Sequence, residues 1–361
     1  MNRNIVIVGG GYIGAELARR LDPVADITLV EPRAAFVHAA AMIRAVVQPE
    51  LLDRALLPYD NLLTRGRVIR ERATAIDSDG VTLADGRRLM ADIIVVATGS
   101  GYAAPFKPNG GDVDTLRQAN AASHAAVMNA RSVAIIGAGA VGIELAGEIK
   151  AARPACEVTL VSDTASLLPT YPPRLGAEME RQLSVLGVTL QLGRRVTALP
   201  TKTAPFSEIV SLDNGETIRA DLVFPATGAC PRTDLLTPLP DARIGADGRV
   251  VADRWMRPSA LPNVLAAGDA VDLGDAMTIV ATTRQVPWLE RAIRSMLAGR
   301  QLDRTPPYTP WRNPPILLPL GPQMGASYLP PAGVQGPIPT RLIKGRALFV
   351  PKHRRQFGLG G

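Results

Sequence analysis

Apolar positions fall into a pattern that this chain writes twice. Ile5 to Val8 is an unbroken β-branched run. It is followed by Gly9-Gly10-Gly11-Tyr12-Ile13-Gly14, by apolar residues at helical spacing to Leu21, and by "ADITLVEP", a second apolar run that ends in Glu31. From Val133 the same order returns as "VAIIGAGAVGIELAGEI" and then "EVTLVS". A short continuous apolar run predicts a parallel strand buried on both faces, and apolar residues three and four apart predict a helix. Each copy reads as strand, glycine turn, helix, strand. The pair predicts an α/β protein with two Rossmann-like dinucleotide-binding domains.

Beyond residue 300 the pattern changes. "DRTPPYTPWRNPP", Asp303 to Pro315, excludes a long helix and predicts an ordered strap. "ILLPL", Ile316 to Leu320, reads as core rather than membrane contact, and the alternating "TRLIKGRALFV" predicts short strands. No apolar stretch approaches the roughly 18 to 20 residues of a bilayer span, and the first apolar run is a strand rather than a signal segment, so a soluble cytoplasmic protein is expected.

The spacing of the glycines carries chemistry. Gly9 permits a tight turn, Gly11 lets the backbone approach a pyrophosphate, and Gly14 lets the helix pack close to its strand, with the phosphates at the helix N-terminus. Glu31, at the end of the next strand, is placed to accept from ribose hydroxyls. Gly137, Gly139 and Gly142 repeat the roles, with Ser162 where the first copy has Glu31. The acid that would repel a 2′-phosphate is therefore absent, although Asp163 follows directly and Arg174, Arg194 and Arg195 lie further on. Should this second site take a nicotinamide nucleotide, relaxed choice between NADH and NADPH is expected. A chain holding two dinucleotides most simply passes electrons from a nicotinamide to a flavin.

Composition narrows the picture. In 361 residues, 47% are apolar and 4% aromatic, and the net charge is +7. That is ample for packed cores but poor in stacking platforms, so no nucleic-acid partner is expected. The basic tail "PKHRRQF", Pro351 to Phe357, reads as a solvated end or as a contact with acidic lipid at the inner face of a membrane. Cys156 and Cys230 are far apart and form no CxxC pair, which argues against a disulfide framework or a dithiol centre. No metal cluster is expected.

With "DIIVVATGS" (Asp92–Ser100), "DLVFPATGACPRT" (Asp221–Thr233) and "LPNVLAAGDAVD" (Leu261–Asp272) added to the twin glycine motifs, the chain resembles the two-dinucleotide-binding-domain flavoproteins, relatives of glutathione reductase. The resemblance implies FAD at the first glycine motif, NADH or NADPH at the second, and Asp269 on the flavin ribitol. Candidate FAD contacts are Gly10, Tyr12, Ile13, Ala73, Thr98 and Gly99, with Gly268 beside Asp269. Val141 and Gly228 join the nucleotide set. "FVHAAAMIRAVV", "GIELAGEIKAARPACEVTLV" and "RLIKGRALFV" look like the apoptosis-inducing-factor-like branch, especially the ferroptosis suppressor group of NAD(P)H:quinone oxidoreductases, with type II NADH dehydrogenases next. One departure is Ala276, before Met277, where that group has a lysine.

The resemblance implies an FAD domain over residues 1–110 and 252–300, an NAD(P)H domain over 111–251, and a C-terminal α+β segment over 301–361 packing near the flavin. It places Glu144 beside the nicotinamide and flavin, as the catalytic residue. An acid near a helix start is also welcome as the complement of the helix dipole. It places Arg44 where it would neutralise phosphate charge, and His38 either at the flavin or in a structural role. The expected acceptor is quinone-like or otherwise non-thiol. An acidic ferredoxin- or rubredoxin-like partner and a redox sensor with little turnover are the alternatives.

Overall fold

In the computed structural model, which describes residues 3–108 and 112–360, β1 (Asn4–Val8) lies at the centre of a five-stranded parallel sheet. It pairs with β2 (Asp26–Val30) on one side and with β4 (Ile93–Val96) on the other; β3 (Arg67–Ile69) extends the first side and β9 (Val264–Ala266) the second. The unbroken apolar run has a physical cause here. Ile5 and Ile7 point into one core with Ile93, Val95 and Leu265, while Val6 and Val8 point into another with Ile94, Val96 and Ala266. Successive side chains face opposite sides of a strand, and both sides are covered.

Between β4 and β9 the chain builds a second parallel sheet in the order β7 (Val188–Gln191), β6 (Glu157–Val161), β5 (Ser132–Ile136), β8 (Leu222–Pro225). The two segments that follow the ATG stretches meet. Ser100–Gly101 pairs antiparallel with Cys230–Pro231, Thr98 Oγ1 donates to the Arg232 carbonyl at 2.7 Å, and the Arg232 N–H donates to the Gly99 carbonyl at 2.9 Å.

The proline-rich strap is ordered, as its composition predicts. Trp255 and Trp288 donate from their indole nitrogens to the carbonyls of Thr305 and Pro306, each at 2.9 Å. Buried Asp275 accepts from Tyr308 Oη and the Trp311 N–H. After the strap, β10 (Ile316–Leu320), β11 (Met324–Leu329) and β12 (Gly333–Gln335) form an antiparallel meander. "ILLPL" is core: Leu318 and Leu320 are buried against the helix Ala140–Ala152, where a Cβ on Gly147 would lie 2.5 Å from Leu320 Cα.

"TRLIKGRALFV" departs from expectation, because it forms no strand. Pro337–Thr340 is a helical turn that continues as a π-helical turn over Arg341–Gly345, and Val350–Gln356 is an α-helix. Pro337 and Pro351 stand in first helical turns, where a fixed φ is favourable, and Leu348 and Phe349 at φ 49° and 61° bend the chain between them. Among the described residues no helix is long and apolar enough to cross a membrane.

Candidate functional site

The first glycine loop leads from β1 into α1 (Tyr12–Leu21). Gly9 has φ +102°, and a Cβ there would lie 2.4 Å from the Ala97 carbonyl oxygen. A Cβ on Gly14 would lie 1.8 Å from the Gly9 oxygen, whereas one on Gly11 would meet nothing within 4 Å. The open side of the loop is therefore the side that a phosphate would approach. Gly11 caps α1 without a side-chain hydrogen bond, so the first N–H groups and the positive end of the helix dipole face that space. Gly10, a position without a stated role in the motif, admits two neighbours: its N–H donates to Glu31 Oε2 at 2.7 Å and its carbonyl accepts from Tyr59 Oη at 2.8 Å. Tyr12 and Ile13 open α1, Ile13 buried in the core. Ala73 packs with Val6, Val8 and Val30 on the second face of the sheet.

Glu31 is buried and more occupied than a ribose acceptor was expected to be. Besides Gly10, its oxygens accept from the Arg33 N–H at 3.0 Å, Arg33 Nε at 2.7 Å and Arg33 Nη2 at 2.9 Å. Burial alone would push the Glu31 carboxyl up, but Arg33 and these N–H groups hold it below the usual range. A ribose hydroxyl would have to share or replace one of the four donors.

The second loop, between β5 and α3 (Ala140–Ala152), repeats the first. Gly137 has φ +112° and a Cβ there would lie 2.3 Å from the Ala226 oxygen; on Gly142 it would lie 1.9 Å from the Gly137 oxygen, and at Gly139 nothing is within 4 Å. Val141 lies half-buried in the first turn of α3. At the ribose edge Ser162 Oγ bonds Thr164 Oγ1 at 2.8 Å, and exposed Asp163 lies 4.0 Å from Arg195. Both loops thus fit a dinucleotide phosphate in shape and in donors.

Glu144 and Glu148 are buried one turn apart on α3. Glu144 lies beyond the first turn, which holds no acid, so complementing the helix dipole does not account for it. Lys344, 200 residues away, donates to Glu144 Oε1 at 2.7 Å and to the Leu317 carbonyl at 3.0 Å. Burial pushes both carboxyls up, against the pull of Lys344 and Arg44. Arg44, from α2 (Ala39–Ala45), reaches the second carboxylate. Its Nε donates to Glu148 Oε1 at 2.9 Å and its Nη1 to the Gly345 carbonyl at 2.7 Å. The guanidinium stands in a buried ion pair with Glu148, and its Nη2 makes no hydrogen bond.

His38 is buried, with Nδ1 2.8 Å from Tyr12 Oη and Nε2 2.6 Å from the Leu348 carbonyl oxygen. Burial first and His353 second push its pKa down to about 3. A neutral ring with the proton on Nε2 satisfies both contacts, donating to Leu348 and accepting from Tyr12. Burial raises the Tyr12 hydroxyl in turn.

Asp269 Oδ2 accepts from Ser100 Oγ at 2.5 Å and from Lys107 Nζ at 3.3 Å, and the Gly268 N–H donates to Gln285 Oε1 at 2.9 Å. Gln285 in turn donates to Asp275, which anchors the strap, so the AGD turn and the strap are one hydrogen-bonded unit. Thr98 and Gly99 lie where the two segments after the ATG stretches meet, and Gly228, at φ +113°, precedes the second of them. Arg33, Tyr59, Lys107 and Lys344 carry no motif and were not singled out by the sequence. Cys156 is buried and Cys230 exposed, both as free thiols, and among the described residues no group of histidines, cysteines and carboxylates could hold a metal.

Residues 58–294 match the pyridine nucleotide-disulphide oxidoreductase family. The chain is 28% identical to apoptosis-inducing factor homolog B of Dictyostelium discoideum, over 98% of this chain and 96% of that protein. It is 26% identical to ferroptosis suppressor protein 1 of Xenopus tropicalis, over 98% and 96%. Among solved structures, NDH2 from Plasmodium falciparum in complex with NADH matches with a TM-score of 0.74 at 13% identity, over 99% of this chain and 98% of that one. Putidaredoxin reductase, in its covalent complex with putidaredoxin, matches with a TM-score of 0.66 at 21% identity, over 90% and 81%. The chain belongs to the pyridine nucleotide-disulphide oxidoreductase family and is an FAD-dependent NAD(P)H oxidoreductase.

Proposed function

We propose that this enzyme passes two electrons from NAD(P)H, by way of FAD, to a quinone-like acceptor that carries no thiol. In balance, NAD(P)H, one proton and a quinone give NAD(P)+ and a quinol. The FAD domain of this reading comprises residues 1–110 and 252–300, the NAD(P)H domain 111–251, and the segment 301–361 closes over both. The open face of Gly11 and the leading N–H groups of α1 would hold the FAD phosphates, with Glu31 at its ribose and Asp269, steadied by Ser100 and Lys107, at its ribitol. Gly139 and the start of α3 would hold the NAD(P)H phosphates. FAD, when bound, supplies the ring that accepts hydride from the nicotinamide and releases the electrons.

The observation that carries the reading is the buried Glu144–Lys344 pair, formed where the C-terminal segment meets the nucleotide helix. Hydride transfer needs position more than acid–base help. A quinone additionally needs positive charge near its developing oxygen anion and a proton for it. Lys344 Nζ donates to both Glu144 Oε1 and the Leu317 carbonyl. A disulfide acceptor would call for a protein dithiol, and one buried and one exposed cysteine do not supply it.

The test is steady-state oxidation of NADH and NADPH with soluble quinones, small disulfides and an acidic ferredoxin as acceptors, in the wild type and in a Cys156→Ser, Cys230→Ser double variant. Quinone reduction that survives the double substitution, with negligible disulfide reduction throughout, is the expected result. Fast turnover only with the ferredoxin, or one flavin reduction per nucleotide with no acceptor, would refute it.

A further inference from the structure

The positive charge of the chain is not spread along it. All 33 acidic residues lie before Arg304, and eight of the 40 lysines and arginines lie from Arg304 to the C-terminus; the other 32 leave the rest of the chain close to neutral. That same acid-free segment exposes a tight set of large aliphatic side chains. Ile338 is 73%, Leu342 64% and Ile343 45% exposed, all within the helical turn Pro337–Thr340 and the π-helical turn Arg341–Gly345. Exposed Arg341 and Arg346 bracket Leu342 and Ile343 in sequence, and Lys352 and Arg355 are exposed on the next helix. Lys344, in the middle of the turn, points inward to Glu144.

We propose that this turn docks on an anionic lipid surface, with Ile338, Leu342 and Ile343 entering the apolar boundary and the neighbouring cations meeting headgroup phosphates. A merely solvated basic end has no use for three exposed aliphatic side chains, and an acidic redox protein could be met by charge alone. Apolar side chains bracketed by cations, on an element too short to span, match an interfacial anchor. Attraction to an acidic surface strengthens partition by about fivefold per cation near it. Burial of a large aliphatic side chain adds roughly tenfold or more. The inference rests on the quinone reading only for its purpose: a quinone with an apolar tail dissolves in such a surface, and the docking turn carries Lys344 on its inner side. Docking would bring the acceptor's solvent to the acceptor's site.

The experiment uses the holoenzyme and sedimentation with vesicles of phosphatidylcholine, with or without phosphatidylglycerol. Binding is expected only to the vesicles that contain phosphatidylglycerol, and it should weaken as salt rises. Leu342→Glu with Ile343→Glu should lower it about a hundredfold, and Arg346→Gln with Arg355→Gln about twenty-fivefold. Neither pair should change the flavin spectrum or the turnover of a short-chain, water-soluble quinone. Three results would overturn the proposal: a wild type that ignores both vesicles, glutamate variants that bind as well as wild type, or a dimer that the glutamates convert to monomer, which would make this face a contact between two copies. Vesicle binding without any quinone turnover would instead remove the quinone reading and leave the docking surface standing.

Discussion

In the first glycine unit a Cβ at Gly14 would lie 1.8 Å from the Gly9 oxygen, and in the second a Cβ at Gly142 would lie 1.9 Å from the Gly137 oxygen. The helix starts are equally alike, each capped by a glycine with no side-chain bond. At the flanks the units diverge. α1 opens on a neutral pair, half-buried Tyr12 and buried His38, whereas α3 carries two buried carboxylates matched by Lys344 and Arg44. At the ribose edge the first unit has a carboxylate gripped by an arginine, and the second has a serine. The two copies thus keep one backbone shape and differ in the side chains around it.

The charged flank should produce the largest effect. Lys344→Met leaves Glu144 buried without its cation, which costs about 3 to 5 kcal/mol of stability when one partner of such a pair is removed. Glu144 already titrates above the usual carboxylate range. Its folded state therefore binds a proton that the unfolded chain gives up, and stability falls as pH rises through that window. Losing Lys344 widens the window upward, so the destabilisation read by urea unfolding should be larger at high pH than at low. Glu144→Gln added to Lys344→Met should recover most of it. A loss that is the same at every pH, or no recovery, would show that the pair is not coupled as its geometry demands.

The shared backbone predicts a matched pair. Gly11 and Gly139 have open space before them and extended φ and ψ that alanine adopts freely. Gly11→Ala should leave the unfolding of the apoprotein within about 0.5 kcal/mol of wild type. It should nonetheless weaken FAD binding on the order of a hundredfold, about 2.7 kcal/mol, by holding the phosphates off the helix. Gly139→Ala should keep its flavin and raise KM for NAD(P)H by a similar factor. Flavin absorbance after dialysis and reduction rates over a range of nucleotide concentrations measure the two. If both alanines affect the same ligand, the assignment of one dinucleotide to each loop fails.

These contrasts mark what the sequence could disclose. The glycine loops were legible because their constraint is local: a positive φ or a missing Cβ must be met by the residue at that position. The two parallel sheets were legible because both faces of each strand are buried, which writes an unbroken apolar run. Lys344 and Lys107 were not, since their partners Glu144 and Asp269 lie 200 and 162 positions away and a lone lysine has no signature. The pairing of Arg44 with Glu148, 104 positions away, was hidden for the same reason. The C-terminal alternation misled because Leu342 and Ile343 face out, so apolar positions there do not report a core.

The neutral flank predicts an opposite pH response. His38, pushed down to about 3, stays uncharged in the fold while the unfolded chain takes up a proton below its ordinary 6.5. Its contribution is therefore complete above pH 6.5 and is lost as pH falls toward the folded value. Between about pH 7.5 and about pH 5 the wild type should lose about 2 kcal/mol more than His38→Gln, whose amide does not titrate. Equal slopes in the two proteins would mean that His38 is charged in the fold.

The smallest effect is expected at the ribose edge, where the comparison can be made symmetric by one substitution. Glu31 and Ser162 occupy equivalent backbone places: the N–H of Glu31 donates to Ile69 at 3.0 Å, and that of Ser162 to Gln191 at 2.9 Å. Two residues on, the first unit has Arg33 to neutralise its acid and the second has Thr164, which has no charge. The nearby Asp163 is exposed and only loosely paired with Arg195, so it fixes no charge at the ribose. Wild type should therefore reduce its flavin with NADH and NADPH at rates within about a hundredfold, or 2.7 kcal/mol, of each other. Ser162→Glu sets a carboxylate there without an arginine to offset it, and a 2′-phosphate would meet it directly. The rate with NADPH should fall about tenfold, near 1.4 kcal/mol, while that with NADH changes by no more than about twofold. Stopped-flow flavin reduction with both nucleotides reads the ratio, and an unchanged ratio would place the 2′-phosphate away from Ser162, toward Arg194 and the far side of the strand.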